Sequence, residues 1–448
     1  MNIYIDTLGC AKNEYDSQML AASLLERGCE LTDAPQDADI IIVNTCGFIE
    51  AAKRESIERI LELAEAAGKD ENDKSSSRVK LVVCGCLAEK YHDDLAKELP
   101  EVDMFFGVND YDDLPDILMG KDNPDGHLTS DMVGSGLDDL KYRKRMLPED
   151  AHYGYLKIAE GCDNACSFCA IPSIRGPFRS KRIEDCIREA EDMADAGIRE
   201  LILIAQDTSQ YGKDLYGEVR LPLLLRKLCK IDGIEWIRLL YVYDNGITDE
   251  LIDTIKTEPK ICNYIDMPIQ HISDNVLKTM RRASRSASIK ETIDKLRREI
   301  PDVHIRTTLL VGSPGETEDD INELLEFIDE YRIDRLGAFA YSDEDGTAAF
   351  HMENKNPQEV CESRRDAVME HQAVVSGSLN ECKVGKVYEV IVDEIADTNL
   401  YTGRTRYDAP EIDCEVTFEG REGLNPGDIV KVRINSAYEY DLEGEFVN

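Results

Sequence analysis

The stretch Gly161-Cys162-Asp163-Asn164-Ala165-Cys166-Ser167-Phe168-Cys169-Ala170-Ile171-Pro172 decides how the rest of the chain is read. Its cysteines are spaced C-x-x-x-C-x-x-C, close enough to hold three corners of a 4Fe-4S cluster, and no fourth cysteine follows nearby to take the last iron. One iron is thereby left open to a small molecule. The preceding run, Tyr153-Gly154-Tyr155-Leu156-Lys157-Ile158-Ala159, has the aromatic and apolar character of a strand, which puts the loop at a strand's carboxyl end. Barrel enzymes keep their chemistry there. The alternative is a zinc knuckle or a set of buried structural thiols. Zinc requires a fourth ligand, and the nearest upstream histidine, His152, lies on the far side of the strand.

The triplet with its following Ile171-Pro172 resembles the radical S-adenosylmethionine superfamily. The resemblance implies that the open iron chelates the amino and carboxylate groups of S-adenosylmethionine. An electron from an external donor would then cleave the sulfonium to a 5′-deoxyadenosyl radical that abstracts hydrogen. The protein's share is positioning and exclusion of side reactions.

Outward from this loop the chain keeps an α/β rhythm. Strand candidates are residues 155–159, 201–205, 237–242, 264–267, 303–311 and 336–341, with helical segments between them, which predicts an open, partial TIM-type (βα)6 barrel. Polar groups follow several of these strands: Gln206 and Asp207, Tyr243 and Asp244, Gln270 and His271, and Ser342, while Arg306 lies inside the fifth. Each singly reads as a cap or a satisfied core group; together they line one rim. Gly312-Ser313-Pro314-Gly315-Glu316-Thr317 reads as a turn and a capping box, Thr317 with Asp320, and its glycines are weak evidence for a nucleotide.

Upstream, four short apolar runs each end in a sharp turn before an amphipathic segment, the pattern of an N-terminal doubly wound parallel sheet. Ile3-Tyr4-Ile5 leads to Leu8-Gly9-Cys10 and a helix from Asp16 to Arg27 capped by Asp16. Ile40-Ile41-Ile42-Val43 ends in Asn44-Thr45-Cys46-Gly47, Leu81-Val82-Val83-Cys84 in Gly85-Cys86, and Met104-Phe105-Phe106 at Gly107. Such sheets bind ligands outside the carboxyl ends of their strands. One cysteine there is most often a small buried hydrophobe, but Cys10, Cys46 and Cys86 occupy equivalent positions and can converge on a second three-thiolate cluster. Cys84 is the rival third ligand; Cys86, at the turn after Gly85, is preferred. The polar run from Gly68 to Ser77 reads as an exposed loop. Asn123-Pro124-Asp125-Gly126 and Gly134-Ser135-Gly136 mark a linker.

Beyond about residue 380, alternating or β-branched runs at 387–392, 414–418 and 429–434, separated by Gly403, Gly420 and Asn425-Pro426-Gly427, predict a small C-terminal β-barrel of OB-like kind. The domains are thus expected at 1–122, 148–375 and 380–448. His351 and His371 are assigned no role.

The chain's 448 residues, 42% of them hydrophobic, are enough for two or three domains. Its opening, Met1-Asn2-Ile3-Tyr4-Ile5-Asp6, has no basic or long apolar run, so export and membrane insertion are not expected. Fourteen cysteines without an export signal argue for metal ligation or reduced thiols and a cytoplasmic location. The net charge of −39 is spread widely: residues 1–140 carry 31 acids against 12 bases, and 381–448 carry 16 against 7, a net of −9. This reads either as a solvated surface or as a match for a basic partner, and it disfavours RNA as the main ligand.

A sheet domain with three strand-end cysteines, a radical barrel and a small β-barrel tail resemble the methylthiotransferase family over essentially the full chain; the tail would be a TRAM-like domain. Its branches methylthiolate either an adenosine in tRNA or an aspartate of ribosomal small-subunit protein 12. Leu8-Gly9-Cys10-Ala11-Lys12-Asn13, Asn44-Thr45-Cys46-Gly47-Phe48-Ile49, Ala205-Gln206-Asp207-Thr208-Ser209-Gln210-Tyr211-Gly212 and Ala409-Pro410-Glu411-Ile412-Asp413 look like the second branch. Glu14-Tyr15 is a departure, a pairing associated more with the tRNA branch. The acidic tail suits a basic ribosomal protein better than phosphates. The resemblance implies that Cys162, Cys166 and Cys169 hold the radical cluster, and that Cys10, Cys46 and Cys86 hold an auxiliary cluster binding the sulfur to be methylated. Gln206, Gln270 and Arg306 are expected to contact S-adenosylmethionine, which serves as methyl donor and as radical source. The protein substrate is met free or within the small subunit. A non-catalytic iron-sulfur or zinc protein docking on ribosomes is the alternative from another class.

Overall fold

The computed structural model of the chain describes residues 1–68, 79–120 and 140–447; the polar loop expected from Gly68 to Ser77, apart from Gly68 itself, and the linker signals at 123–126 and 134–136 lie outside the described residues. Strands β1 (Asn2–Thr7), β2 (Glu30–Leu31), β3 (Ile40–Thr45), β4 (Lys80–Gly85) and β5 (Met104–Phe106) form a parallel sheet in the order β2-β1-β3-β4-β5. Every residue of β3 is buried because helices cover both faces, which is why it reads as an unbroken apolar run. Ile41 and Val43 pack with Ile60 and Leu63 of helix α2 (Glu50–Ala66) and Leu87 of α3 (Cys86–Glu98). Ile40 and Ile42 pack on the opposite side with Leu20 and Leu24 of α1 (Ala11–Glu26).

The expected cap at Asp16 is wrong. Gly9 turns the chain with φ +98°, and α1 begins at once at Ala11 with Cys10 at its cap. Asp16 lies inside the helix, 1% exposed, its carboxylate bound to Lys157 and Arg175 of the central domain.

Eight strands follow: β6 (Tyr153–Lys157), β7 (Ala159–Glu160), β8 (Arg179–Ser180), β9 (Glu200–Ile204), β10 (Trp236–Leu239), β11 (Ile261–Asp266), β12 (His304–Val311) and β13 (Arg335–Ala340). Six of them form an open parallel sheet, β13-β12-β11-β10-β9-β6, and these are the six expected, with ends moved by a few residues. Leu201 and Leu203 pack among the surrounding helices, whereas Ile202 and Ile204 point to the inner face.

In the tail, β14 (Val387–Asp397), β15 (Leu400–Thr405), β16 (Val416–Glu419), β17 (Ile429–Ala437) and β18 (Leu442–Val447) close into a barrel. Strands β15 and β18 were not anticipated, and Gly403 is no separator but part of β15. A Cβ at Gly403 would stand 2.2 Å from the Ile391 carbonyl, so glycine serves close strand packing there rather than a turn.

The tail seals the inner face of the central sheet. Ile391 and Ala409 of the tail share one apolar cluster with Tyr155, Ile202, Ile204, Leu240 and Tyr264, and Ala11 of α1 packs against it. Around this cluster the charges are buried and paired. Glu200, fully buried, accepts hydrogen bonds from Arg238 (2.6 Å) and from Arg404 of the tail (2.8 Å). Arg404 also reaches Asp393, which accepts from His152 at 2.6 Å, so that histidine is committed to the tail. Asp408 likewise pairs with Arg335 at 2.7 Å.

Candidate active site

The C-x-x-x-C-x-x-C loop leaves the sheet between β7 and β8, which pair antiparallel and close its base. Gly161 has φ +77°, and a Cβ there would stand 2.1 Å from the Pro177 carbonyl, so only glycine lets the loop turn back. The Asp163 carboxylate accepts the Phe178 N–H (3.0 Å), and Asn164 donates to Asp207 at the end of β9 (3.1 Å). Ser167 is pinned on three sides: its N–H donates to Met280, its hydroxyl to Thr279, and its carbonyl accepts from Ala349. N–H groups already face the thiols: Asn164 to Cys162 Sγ at 3.4 Å, Ile171 to Cys169 Sγ at 3.5 Å, and Arg282 to Cys166 Sγ at 3.9 Å. The Arg282 guanidinium also lies over the Tyr243 ring, 4.3 Å from its centre. Burial pushes the Cys162 thiol up and that of Cys169 up to about 12. Such thiols stay protonated at neutral pH until a metal displaces the proton.

The second triad sits where the order of the N-terminal sheet reverses, the place at which open α/β sheets take ligands. Cys10 follows β1, Cys46 follows β3, and Cys86 opens α3 directly after β4. The three turns are pressed together: a Cβ on Gly9 would stand 2.6 Å from Cys46 Cβ, and one on Gly47 2.8 Å from Leu87 Cα. Asn13 ties the turns by donating to the carbonyls of Leu8 (2.8 Å) and Thr45 (3.0 Å). Burial pushes Cys46 up to about 11, and the nearby Cys86 and Cys10 push the same way, so the three sulfurs sense one another. Cys10 is the exposed member of the set; partial desolvation by the surrounding protein opposes its ionisation, but Lys12 and Arg175 outweigh it and lower that thiol. Cys84 is fully buried in the core on the α1 side of the sheet, next to Val82 and Phe106.

The two triads face each other across a short junction. Ala170 and Ile174, immediately beyond Cys169, pack against Cys86. Arg175, which ends the short helix Ile171–Arg175, donates to Cys86 Sγ at 3.2 Å and Asn13 Oδ1 at 2.8 Å. Its other terminal nitrogen reaches Asp16 (3.1 Å) and Glu160 (3.0 Å). Lys157 binds the same two carboxylates at 2.5 and 2.7 Å. Burial would push Glu160 up, but Arg175 and Lys157 hold it below the usual carboxylate range. The two domains are also clamped by Glu344, which accepts from Lys53 and Lys90, each at 3.1 Å.

Of the residues expected at the S-adenosylmethionine site, Gln206 donates to Glu160 at 2.6 Å, and its buried Oε1 has no hydrogen-bond partner among the described residues. Gln270 takes a left-handed backbone (φ +70°) that bridges to β12 through Thr308 and Leu310. Arg306 is bound to Asp266 at 2.8 Å and lies 3.5 Å from Asp413 of the tail. Of the other rim groups, His271 is buried 3.6 Å from Glu316, while Asp244 pairs with Ser284. Sequence reasoning missed Arg175, Arg282, Glu160 and Asn13; only Asn13 fell inside a stretch singled out from sequence. Among the described residues no three His, Cys, Asp or Glu side chains are gathered tightly enough for one metal ion. A cubane takes each thiolate on a different iron, so its ligands stand further apart than those of a single zinc. Two sets of three thiols, several met by N–H donors, fit such clusters.

Residues 156–328 match the radical SAM superfamily, and the chain is a radical S-adenosylmethionine enzyme, with S-adenosylmethionine and 4Fe-4S clusters as its cofactors. Residues 2–107 match an uncharacterized protein family, UPF0004, and residues 384–447 a TRAM domain. The ribosomal protein uS12 methylthiotransferase RimO of Clostridioides difficile (strain 630) is 44% identical over 450 residues, 99% of this chain and 98% of that one. Its namesake in Alkaliphilus oremlandii (strain OhILAs) is 45% identical over 454 residues, 99% of both chains. The chain belongs to the RimO methylthiotransferase family. In fold it resembles the radical S-adenosylmethionine methyltransferase TsrM of Kitasatospora setae, solved with tryptophan and a SAM analog, at TM-score 0.60 and 14% identity over 78% of this chain and 75% of that one. These relatives are named for a ribosomal protein, and the tRNA alternative is not favoured. Among the described residues no helix is long and apolar enough to cross a membrane.

Proposed function

We infer that this chain transfers a methylthio group to the β-carbon of an aspartate in ribosomal small-subunit protein 12. The observation that carries the reading is the junction itself, with Cys86 packed against Ala170 and Ile174 just beyond the C-x-x-x-C-x-x-C loop. Cys162, Cys166 and Cys169 would hold the radical cluster, and Cys10, Cys46 and Cys86 the auxiliary one. When bound, these groups and S-adenosylmethionine supply a hydrogen-abstracting radical on one side and a methylated sulfur on the other.

The remaining residues bind, orient and exclude water. Asn164, Ile171 and Arg282 direct N–H groups at the radical-site sulfurs, which favours thiolate over thiol. Asp207 fixes Asn164 and with it the loop's height above the barrel. Gln206 would offer its buried Oε1 as an acceptor to S-adenosylmethionine. The apolar inner face beneath keeps water from a reactive radical. A surface of net charge −39 attracts a basic protein substrate and repels phosphate backbones. The enzyme works in the cytoplasm, with an external electron donor.

The test is an anaerobic assay of reconstituted protein with S-adenosylmethionine, sulfide and reductant, offered either the ribosomal protein or unmodified tRNA. A methylthio adduct on an aspartate, read by mass spectrometry, is the expected product. An adduct on tRNA alone would overturn the substrate assignment.

A further inference from the structure

Arg175 stands out among the residues that sequence reasoning did not single out. It is 2% exposed, carried by the radical-site loop, yet two of its hydrogen bonds end in the other domain's cysteine site, on Cys86 Sγ at 3.2 Å and Asn13 Oδ1 at 2.8 Å. A buried guanidinium needs matching acceptors. Asp16 and Glu160 supply two carboxylates, but Lys157 shares both of them. Two cations therefore face two anions, and the second terminal nitrogen is spent on a sulfur and an amide rather than on another charge.

That placement has a chemical use. A hydrogen bond and a positive charge at a ligand sulfur stabilise the more negative, reduced form of an iron-sulfur cluster, and such contacts are a main lever on its potential. The same side chain also orders the radical site. Glu160 accepts Arg175 on one oxygen and the Gln206 amide on the other, at 3.0 and 2.6 Å. With Nε2 committed, Gln206 Oε1 is left as the free acceptor.

We propose that Arg175 is a positioning residue that sets the reduction potential of the auxiliary centre through Cys86 and, through Glu160, fixes the orientation of Gln206 at the radical site. This rests on the two-cluster reading above. Any polar side chain could fill the space; only a guanidinium reaches four acceptors in two domains from one fixed plane.

The test uses full-length protein with Cys162, Cys166 and Cys169 replaced by alanine, so that only the auxiliary cluster is loaded; Asp163 and Ser167 still pin the loop through contacts that involve no cysteine sulfur. Potentiometric titration followed by electron paramagnetic resonance compares Arg175 with R175Q and R175K. R175Q should lower the midpoint so that the reduced-to-oxidised ratio at a fixed potential falls about tenfold, a shift of about 59 mV for one electron. R175K keeps the charge beside Asp16 and Glu160 and should fall between the two; it also serves if R175Q does not fold. Equal midpoints in fully loaded R175K and wild-type-Arg175 protein would overturn the proposal. If the parent variant binds no iron, the auxiliary-cluster reading itself fails and the proposal with it.

Discussion

Replacing Glu200 by alanine should destabilise the union of barrel and tail. Glu200 is fully buried, and its two oxygens accept Arg238 and Arg404 at 2.6 and 2.8 Å. After truncation Arg404 keeps Asp393, but Arg238 is left with the Arg406 carbonyl at 3.1 Å and the face of Tyr264. Breaking a buried pair on one side costs about 3–5 kcal/mol, because the remaining charge stays in a medium that solvates it poorly. At roughly 2–4 °C per kcal/mol for a unit of about 200 residues, the melting temperature of the cluster-free protein should fall by about 10 °C. E200Q, which keeps one acceptor and loses the charge, should fall less, by about 1.5–3 kcal/mol. Calorimetry, with limited proteolysis reporting whether the tail is released first, reads both. Raising salt should change little, since the pairs are sealed from counterions. If E200A melts within about 1 kcal/mol of the unaltered protein, the buried charges do not fasten the tail and the apolar cluster alone does so.

Gly161→Ala forces a side chain against the Pro177 carbonyl at a positive φ; reconstituted protein should lose about half its cluster iron while the auxiliary site stays loaded. Cys86→Ala should remove the auxiliary cluster, whereas Cys84→Ala should keep all iron and cost about 1 kcal/mol of stability as a small core cavity; iron analysis beside thermal melting separates them. Burial pushes Asp408 up, but Arg335 and Lys383 outweigh it and hold the carboxyl below its ordinary 3.8, so its contribution is present above that pH and lost as the pH falls further. D408N should flatten that acid limb of a melting-versus-pH curve, and an unchanged limb would refute the assignment.

Much of this was legible in local pattern. Each of Cys10, Cys46 and Cys86 follows an apolar run within a turn, so the strand rule alone placed them at one edge of a sheet. The Thr317 capping box holds as read, with Thr317 and Asp320 satisfying each other's backbone N–H. What was not legible acts over long sequence distance. Asp16 has the composition of a cap, yet its partner Lys157 lies 141 residues away in another domain. Arg175 and Glu160 are ordinary charged residues until folding brings two cysteine sites to either side of them. The pairing of Arg306 with Asp266, 40 residues earlier, and its approach to Asp413 of the tail are likewise visible only in the fold.

The apolar cluster behind the central sheet belongs to all three domains, with Ala11 contributed from one side and Ile391 and Ala409 from the other. The boundaries drawn along the chain are therefore not boundaries of independent parts. Cutting before the tail would strip one wall from a shared core rather than remove an appendage. Exchanging tails between related enzymes would also exchange side chains that complete the core of the central sheet. In this architecture the tail and the packing of the central sheet's inner face are inherited together.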